Sequence, residues 1–295
     1  MNIYSRLHIF CALSFIFSVL LLSTNAHADE GMWMLSTMGK KDAKLLQQLG
    51  LHMPIDKIYS VQHPALSNAV VSFGGFCSGV IISPEGLLLT NHHCGFGAIQ
   101  QQSTVENDYL EDGYVAKTKA DEIPCPGLYA RFMLVQKDVT KRMLSSVTPT
   151  MFEERRIALL DSTKQAIEHE VALFDSTLVA VVDGYYAGNE YFLSVYRDYP
   201  DVRLVFTPPS SIGKFGWDKD NWMWPRHTGD FSVFRVYADA HNNPNSYDEK
   251  NVPFRPNSIA PISLKGYKKG DFTMTIGYPG ATGRYVSAAA IKERM

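Results

Sequence analysis

The stretch CSGVIISPEGLLLTNHHC, residues 77–94, constrains the fold more than any other part of the chain. Two apolar β-rich runs, 80–82 and 87–89, flank the tight-turn sequence Ser83-Pro84-Glu85-Gly86. The pattern predicts a β-hairpin. A cysteine stands at each end of it, Cys77 and Cys94, 17 positions apart. A hairpin brings its ends together, so a disulfide between these two is geometrically plausible. Such a bridge would hold the residue just before Cys94, which is His93.

Three readings of the adjacent pair His92 and His93 are open. Read as a strand end, the two side chains point to opposite faces and do not chelate one ion. The H-E-x-x-H spacing is absent, and Cys94 and Cys125 form no C-x-x-C pair, so no metal site is expected. On the dipeptide alone, the plain reading is one buried, hydrogen-bonded histidine and one facing solvent. The third reading is a catalytic base, which needs a carboxylate to hold its tautomer. The candidate is Asp230, which follows Gly229 and opens the alternating segment FSVFRVYAD, its plain alternative being a strand-start cap; Asp239, at the end of that segment, reads as a turn residue. Just upstream, Trp217, Trp222 and Trp224 crowd together with Asn221, Arg226 and His227. Such a cluster marks a binding surface or a packed corner.

Elsewhere the patterns are mostly β. Residues 40–50 read as a short helix closed by Gly50, and 67–75 and 131–139 as strands. Thr150 and Glu153 make a capping box for a long helix, with Phe152, Ile157, Leu160, Ile167 and Val171 at helical spacing. Strands are expected again at 177–182, 191–196, 203–206, 231–239 and 272–280, and a helix begins at 287–295. With 28 basic residues against 30 acidic ones and no basic patch, nucleic acid is not an expected partner. The segment GFGAIQ, 95–100, lacks the third glycine and the βαβ setting of a dinucleotide site, and no cofactor is expected.

Arg6, the apolar run 7–22 and the A-x-A pattern at Ala26 and Ala28 predict a secretory signal over residues 1–28. The mature chain is then expected to be exported, to a periplasm of Gram-negative type, with no membrane span left. Cys11 leaves with the signal, and one pair plus one leftover cysteine remain. A serine nucleophile would need a G-x-S-G-type turn. CSGV lies inside the hairpin, PPSSIG around Ser210 and Ser211 lacks flanking glycines, and GYPGATG has no serine.

The order Cys–hairpin–His–Cys resembles the first barrel of chymotrypsin-like serine peptidases, where the catalytic histidine directly precedes a bridged cysteine. The segments GGFCSGVIISPEGLLLTNHHCGFGAIQ, YLEDGYVA, DNWMWPRHTGDFSVFRVYAD and TIGYPGATGRY extend the likeness to the bacterial dipeptidyl-peptidase 7 and 11 group. That resemblance implies a chymotrypsin-like double β-barrel, mainly β, with an inserted helical domain. It implies His93 as general base, Asp230 as its orienting acid, and Asn221 and Trp222 as holders of a substrate's free α-amine. Oligopeptides with a free N-terminus are the implied substrates, and group members tend to form homodimers. Residues 29–284 would be the N-terminal portion of the peptidase domain and 285–295 the start of the helical insertion. Serine and oxyanion donors follow that insertion in the group, so residues 1–295 are expected to hydrolyse nothing by themselves. The competing expectations are a non-catalytic periplasmic peptide-binding module and a β-rich metalloprotein.

Overall fold

In the computed structural model, the structure describes residues 33–216, 227–280 and 287–294. The expected signal segment, Asn221, Trp222 and the other two crowded tryptophans lie outside the described residues. The chain divides into two units, residues 1–37 and 38–295. The first has a single 3-10 turn, Leu35–Thr37, among its described residues. The second carries an eleven-stranded sheet.

The strands are β1 Val70–Phe73, β2 Cys77–Ile81, β3 Leu87–Thr90, β4 Tyr114–Val115, β5 Ile123–Pro124, β6 Ala130–Asp138, β7 Leu178–Tyr185, β8 Glu190–Tyr199, β9 Asp201–Thr207, β10 Ser232–Ala238 and β11 Val252–Pro253. The helices are α1 Lys40–Gln48, α2 Ile55–Ile58, α3 His92–Gln102, α4 Thr140–Met143, α5 Glu153–Phe174, α6 Ser210–Gly213 and α7 Ala288–Arg294. The main path of the sheet is β4-β9-β10-β3-β2-β1-β6-β8-β7, with β11 added to β10 and β5 to β9. Every ladder in it is antiparallel.

The predicted hairpin is β2–β3, with Val80 opposite Leu89 and Ile81 opposite Leu88. Its inward residues alternate with half-buried ones, as period-2 side-chain direction requires. Ile81, Leu88, Val71, Phe73, Leu204 and Phe234 are fully buried, and they join one core with Ile99 of α3. Each such side chain contributes roughly 1.5–3 kcal/mol by leaving water. A smaller cluster, Met143, Ile167 and Val182, seats α5 on the far part of the sheet.

Three expectations change. The helix expected from Thr150 begins at Glu153 with Phe152 as its N-cap, so no capping box forms. Thr150 lies instead inside a turn closed by Met151 N–H on the Thr148 carbonyl, and Glu153 pairs with Arg156. Of its periodic apolar residues only Ile167 is buried; Phe152 and Ile157 are exposed. Residues 272–280 form no strand. Alternation there specified a face but no ladder partner; instead Tyr278 N–H donates to Ser78 Oγ at 2.7 Å. Finally, the two histidines are not a strand end: β3 stops at Thr90, and Asn91 is the N-cap of α3. At Asn91 the chain turns from a ladder into a helix that lies back across β10. The close approach is at Gly95, where a methyl group would stand 2.7 Å from Ser232 Oγ.

Buried charge also ties the sheet together. Arg203 grips Asp201 through two hydrogen bonds, 2.9 and 2.7 Å, with Tyr237 stacked 3.7 Å beneath the guanidinium. Arg235 meets Glu122 at 2.9 Å, and Tyr237 hydroxyl donates to the same carboxylate.

The leftover Cys125 is a free thiol, 3% exposed, in the main core. Burial pushes it up to about 12. A thiol held protonated does not attack electrophiles. Iodoacetamide at pH 8 is therefore expected to leave Cys125 unmodified in the folded chain and to label it once guanidinium unfolds the protein. Labelling at equal rates in both states, read by peptide mass mapping, would contradict the placement.

Candidate active site

Asp230 and the histidine pair are far apart in sequence and adjacent in space because β3 and β10 are neighbours. Ser232 pairs with Thr90 and Val233 with Leu89. Two residues before the start of β10 therefore sit beside the residues that leave β3. His93 Nδ1 lies 2.7 Å from Asp230 Oδ2, and His93 backbone N–H donates to Asp230 Oδ1 at 3.0 Å. An ionised carboxylate only accepts, so the Nδ1 partner assigns the proton to Nδ1 and the lone pair of the neutral ring to Nε2. The His93 side chain is 68% exposed while Asp230 is 21% exposed. The sheltered carboxylate thus holds one side of an open imidazole.

The helix itself needs Asp230. His93 is the second residue of α3, whose first-turn N–H groups have no partner within the helix. Asn91 stands in the cap position yet makes no side-chain cap bond. Its amide instead donates to the Asp230 carbonyl at 3.1 Å and to Oδ2 at 3.3 Å. The carboxylate of Asp230 does the capping from the segment that leads into β10, where the helix dipole favours its charge by about 0.3–1 kcal/mol. Ser232 Oγ donates to the Asn91 carbonyl at 3.0 Å and completes the clasp. Asn91 and Ser232 were not singled out from sequence. The signal for Asn91 is its type, a preferred N-cap residue directly before a histidine pair.

Cys77 and Cys94 form a disulfide with their Cα atoms 6.1 Å apart. It joins the third residue of α3 to the start of β2. Cys77, His93 and Cys94 place ligand-type atoms within 4.8 Å of one another. The two sulfurs are bonded to each other, so neither offers the thiolate a metal would take.

His92 has the opposite character to His93. Its ring is 1% exposed, and Nε2 is buried with no hydrogen bond among the described residues. Burial lowers its pKa; the nearby Asp230 charge pulls the other way, and His93 and Lys214 add to the lowering. The sign of the linkage follows. A histidine held below its ordinary 6.5 in the fold contributes stability that is whole above that pH. That contribution is lost as pH falls below 6.5, because the unfolded chain takes up the proton first. Urea midpoints are expected to drop between pH 7 and 5, and His92→Phe to flatten that part of the slope. An unchanged slope in the variant would assign the acid loss to other groups. Asp239 is a turn residue, as read, accepting N–H bonds from His241 and Asn243.

A family model, Peptidase S46, matches residues 28–295. The chain belongs to the peptidase S46 family. Among S46 relatives, dipeptidyl-peptidase 7 of Porphyromonas endodontalis is 48% identical over 272 residues, 92% of this chain and 33% of that protein. An Asp/Glu-specific dipeptidyl-peptidase of Capnocytophaga gingivalis is 47% identical over 263 residues, covering 89% of this chain and 37% of that protein. The crystal structure of Porphyromonas endodontalis DPP11 in complex with substrate superposes with a TM-score of 0.81 at 39% identity, over 90% of this chain and 39% of that one. The complex of the same protein with the dipeptide Arg-Asp gives a TM-score of 0.82 at 38% identity, over 90% and 39%. The chain thus spans between a third and two-fifths of the length of these S46 relatives.

Proposed function

We propose that this S46 chain supplies the base and the orienting acid of a serine-type dipeptidyl peptidase. The observation that carries the reading is the 2.7 Å contact of His93 Nδ1 with Asp230, on a ring whose other edge is open. In such a site the Nε2 lone pair takes the proton of a serine hydroxyl as that oxygen attacks the scissile carbonyl. The imidazolium so formed is stabilised by Asp230 and returns the proton to the leaving amine. A water then repeats the exchange and frees the dipeptide from the acyl-enzyme. No G-x-S-G segment occurs in residues 1–295, and we assign no nucleophile within them.

The finer reading follows the resemblance. The β2–β3 hairpin and its neighbours belong to the first barrel of a chymotrypsin-like double barrel. Asn221, through its amide oxygen, and Trp222, through its ring face, hold the cationic N-terminus of the peptide. The protein works in the periplasm after loss of its signal, as a homodimer. Relatives named dipeptidyl-peptidases, and one solved with the dipeptides Arg-Glu and Arg-Asp, support a peptide substrate.

The test uses paired peptides, one with a free α-amine and one N-acetylated, and a preparation that contains the nucleophile as well as this chain. Mass spectrometry is expected to find dipeptides from the free peptide and none from the acetylated one. Residues 1–295 by themselves are expected to release neither. Internal cleavage of both peptides would contradict the exopeptidase reading.

A further inference from the structure

His92 and His93 are joined by one peptide bond and also by a closed circuit of contacts through space. The imidazole of His92 lies flat against Gly213, where a methyl group would stand 2.5 Å from Cγ and 2.6 Å from Cδ2. Gly213 ends α6, and the carbonyls of that turn hold the segment leading to Asp230. Ile212 carbonyl accepts Gly229 N–H at 2.9 Å and Thr228 Oγ1 at 3.2 Å. Gly213 carbonyl accepts the same hydroxyl at 3.1 Å. Asp230 follows directly, and both of its carboxylate oxygens end on His93. The circuit therefore runs His92, Gly213, Thr228 and Gly229, Asp230, His93.

We infer that His92 is a positioning residue: its buried ring, seated on Gly213, sets the point from which Asp230 reaches His93. Three features support this over a passive core role. A side chain at 213 would collide with the ring, so the turn sits this close to His92 only because residue 213 is glycine. His92 is 1% exposed and is the first residue of α3, the helix that carries His93. The turn it touches makes three separate hydrogen bonds to the two residues before Asp230. Interiors this close-packed transmit a displacement instead of absorbing it.

The inference takes its catalytic meaning from the proposed roles of His93 and Asp230, but its test reads their hydrogen bond directly. In the chain labelled with nitrogen-15 histidine, the Nδ1 proton of His93 bonded to Asp230 resonates far downfield of the amide envelope at low temperature. Gly213→Ala is expected to abolish or move that signal while circular dichroism and the disulfide stay as they were. His92→Ala is expected to do the same, because the turn loses the ring it is seated against. An unmoved signal in either variant would overturn the inference. Should Gly213→Ala fail to fold, His92→Ala alone decides: loss of the signal supports the circuit, and retention sinks it. In an active preparation the same variants are expected to lower kcat at nearly constant KM. His93→Ala that still cleaved peptides would defeat the proposed function while leaving this circuit standing.

Discussion

Asp230→Asn is expected to lower kcat for dipeptide release by about 10⁴-fold with little change in KM, in a preparation that holds the serine. The size follows from the way both carboxylate oxygens are used. Oδ1 takes the backbone N–H of His93 and Oδ2 takes Nδ1, so each faces a donor. An asparagine has one oxygen and one NH₂ group. If its oxygen keeps the helix cap, its NH₂ confronts Nδ1 and drives the proton to Nε2. The base then presents a donor where it needs a lone pair. If its oxygen turns to Nδ1, the first turn of α3 loses its cap, at a cost of about 1 kcal/mol. Either way the ring spends little time in the productive tautomer. Steady-state kinetics with dipeptidyl-coumarin check the split between kcat and KM. A fall confined to KM would mean that Asp230 binds substrate and does not orient the base.

The largest effect on stability is expected at the other end of β10. Asp201→Ala removes the carboxylate from Arg203, whose side chain is 10% exposed, while that of Asp201 is 1% exposed. The guanidinium would be left with Tyr237 beneath it and the Asp248 carbonyl at 3.1 Å, but with no opposing charge. Asn251, which donates to Asp201 at 2.9 Å, would lose an acceptor as well. Breaking a buried pair on one side costs about 3–5 kcal/mol. For a unit of this size that lowers Tm by roughly 10 °C. Replacing both partners with apolar residues, Asp201→Leu/Arg203→Met, is expected to cost less than the single change, since no charge is left buried. Urea unfolding of both variants checks the order. A single variant within about 1 kcal/mol of the parent would show that the pair is solvated and weak.

The hairpin and the bridge from Cys77 to Cys94 were legible in the sequence because each is local. Turn residues, strand runs and the two cysteines all lie within one short stretch. Asp230 stood out by its position at the head of an alternating strand. The start of α3 was not. The Asn91 side chain caps no N–H of its own helix, and the group that does comes from the segment before β10. A local reading therefore carried the strand one turn too far. Thr150 and Glu153 had the spacing of a capping box, but the chain enters α5 at Phe152 and leaves that spacing unused. Residues 272–280 had the alternation of a strand, and alternation says nothing of what a strand would pair with. The pairs Arg203–Asp201 and Arg235–Glu122 stabilise the sheet, but only the register of β10 against β9 and β3 shows that they serve one region.

The most direct test of His93 as the general base of a dipeptidyl peptidase is the rate of dipeptidyl-coumarin release before and after His93→Ala, in a preparation that contains the serine. The account predicts a loss of at least about 10⁴-fold in kcat, because the serine would lack the group that takes its proton. Release within tenfold of the parent would contradict it and pass the role of base to another residue.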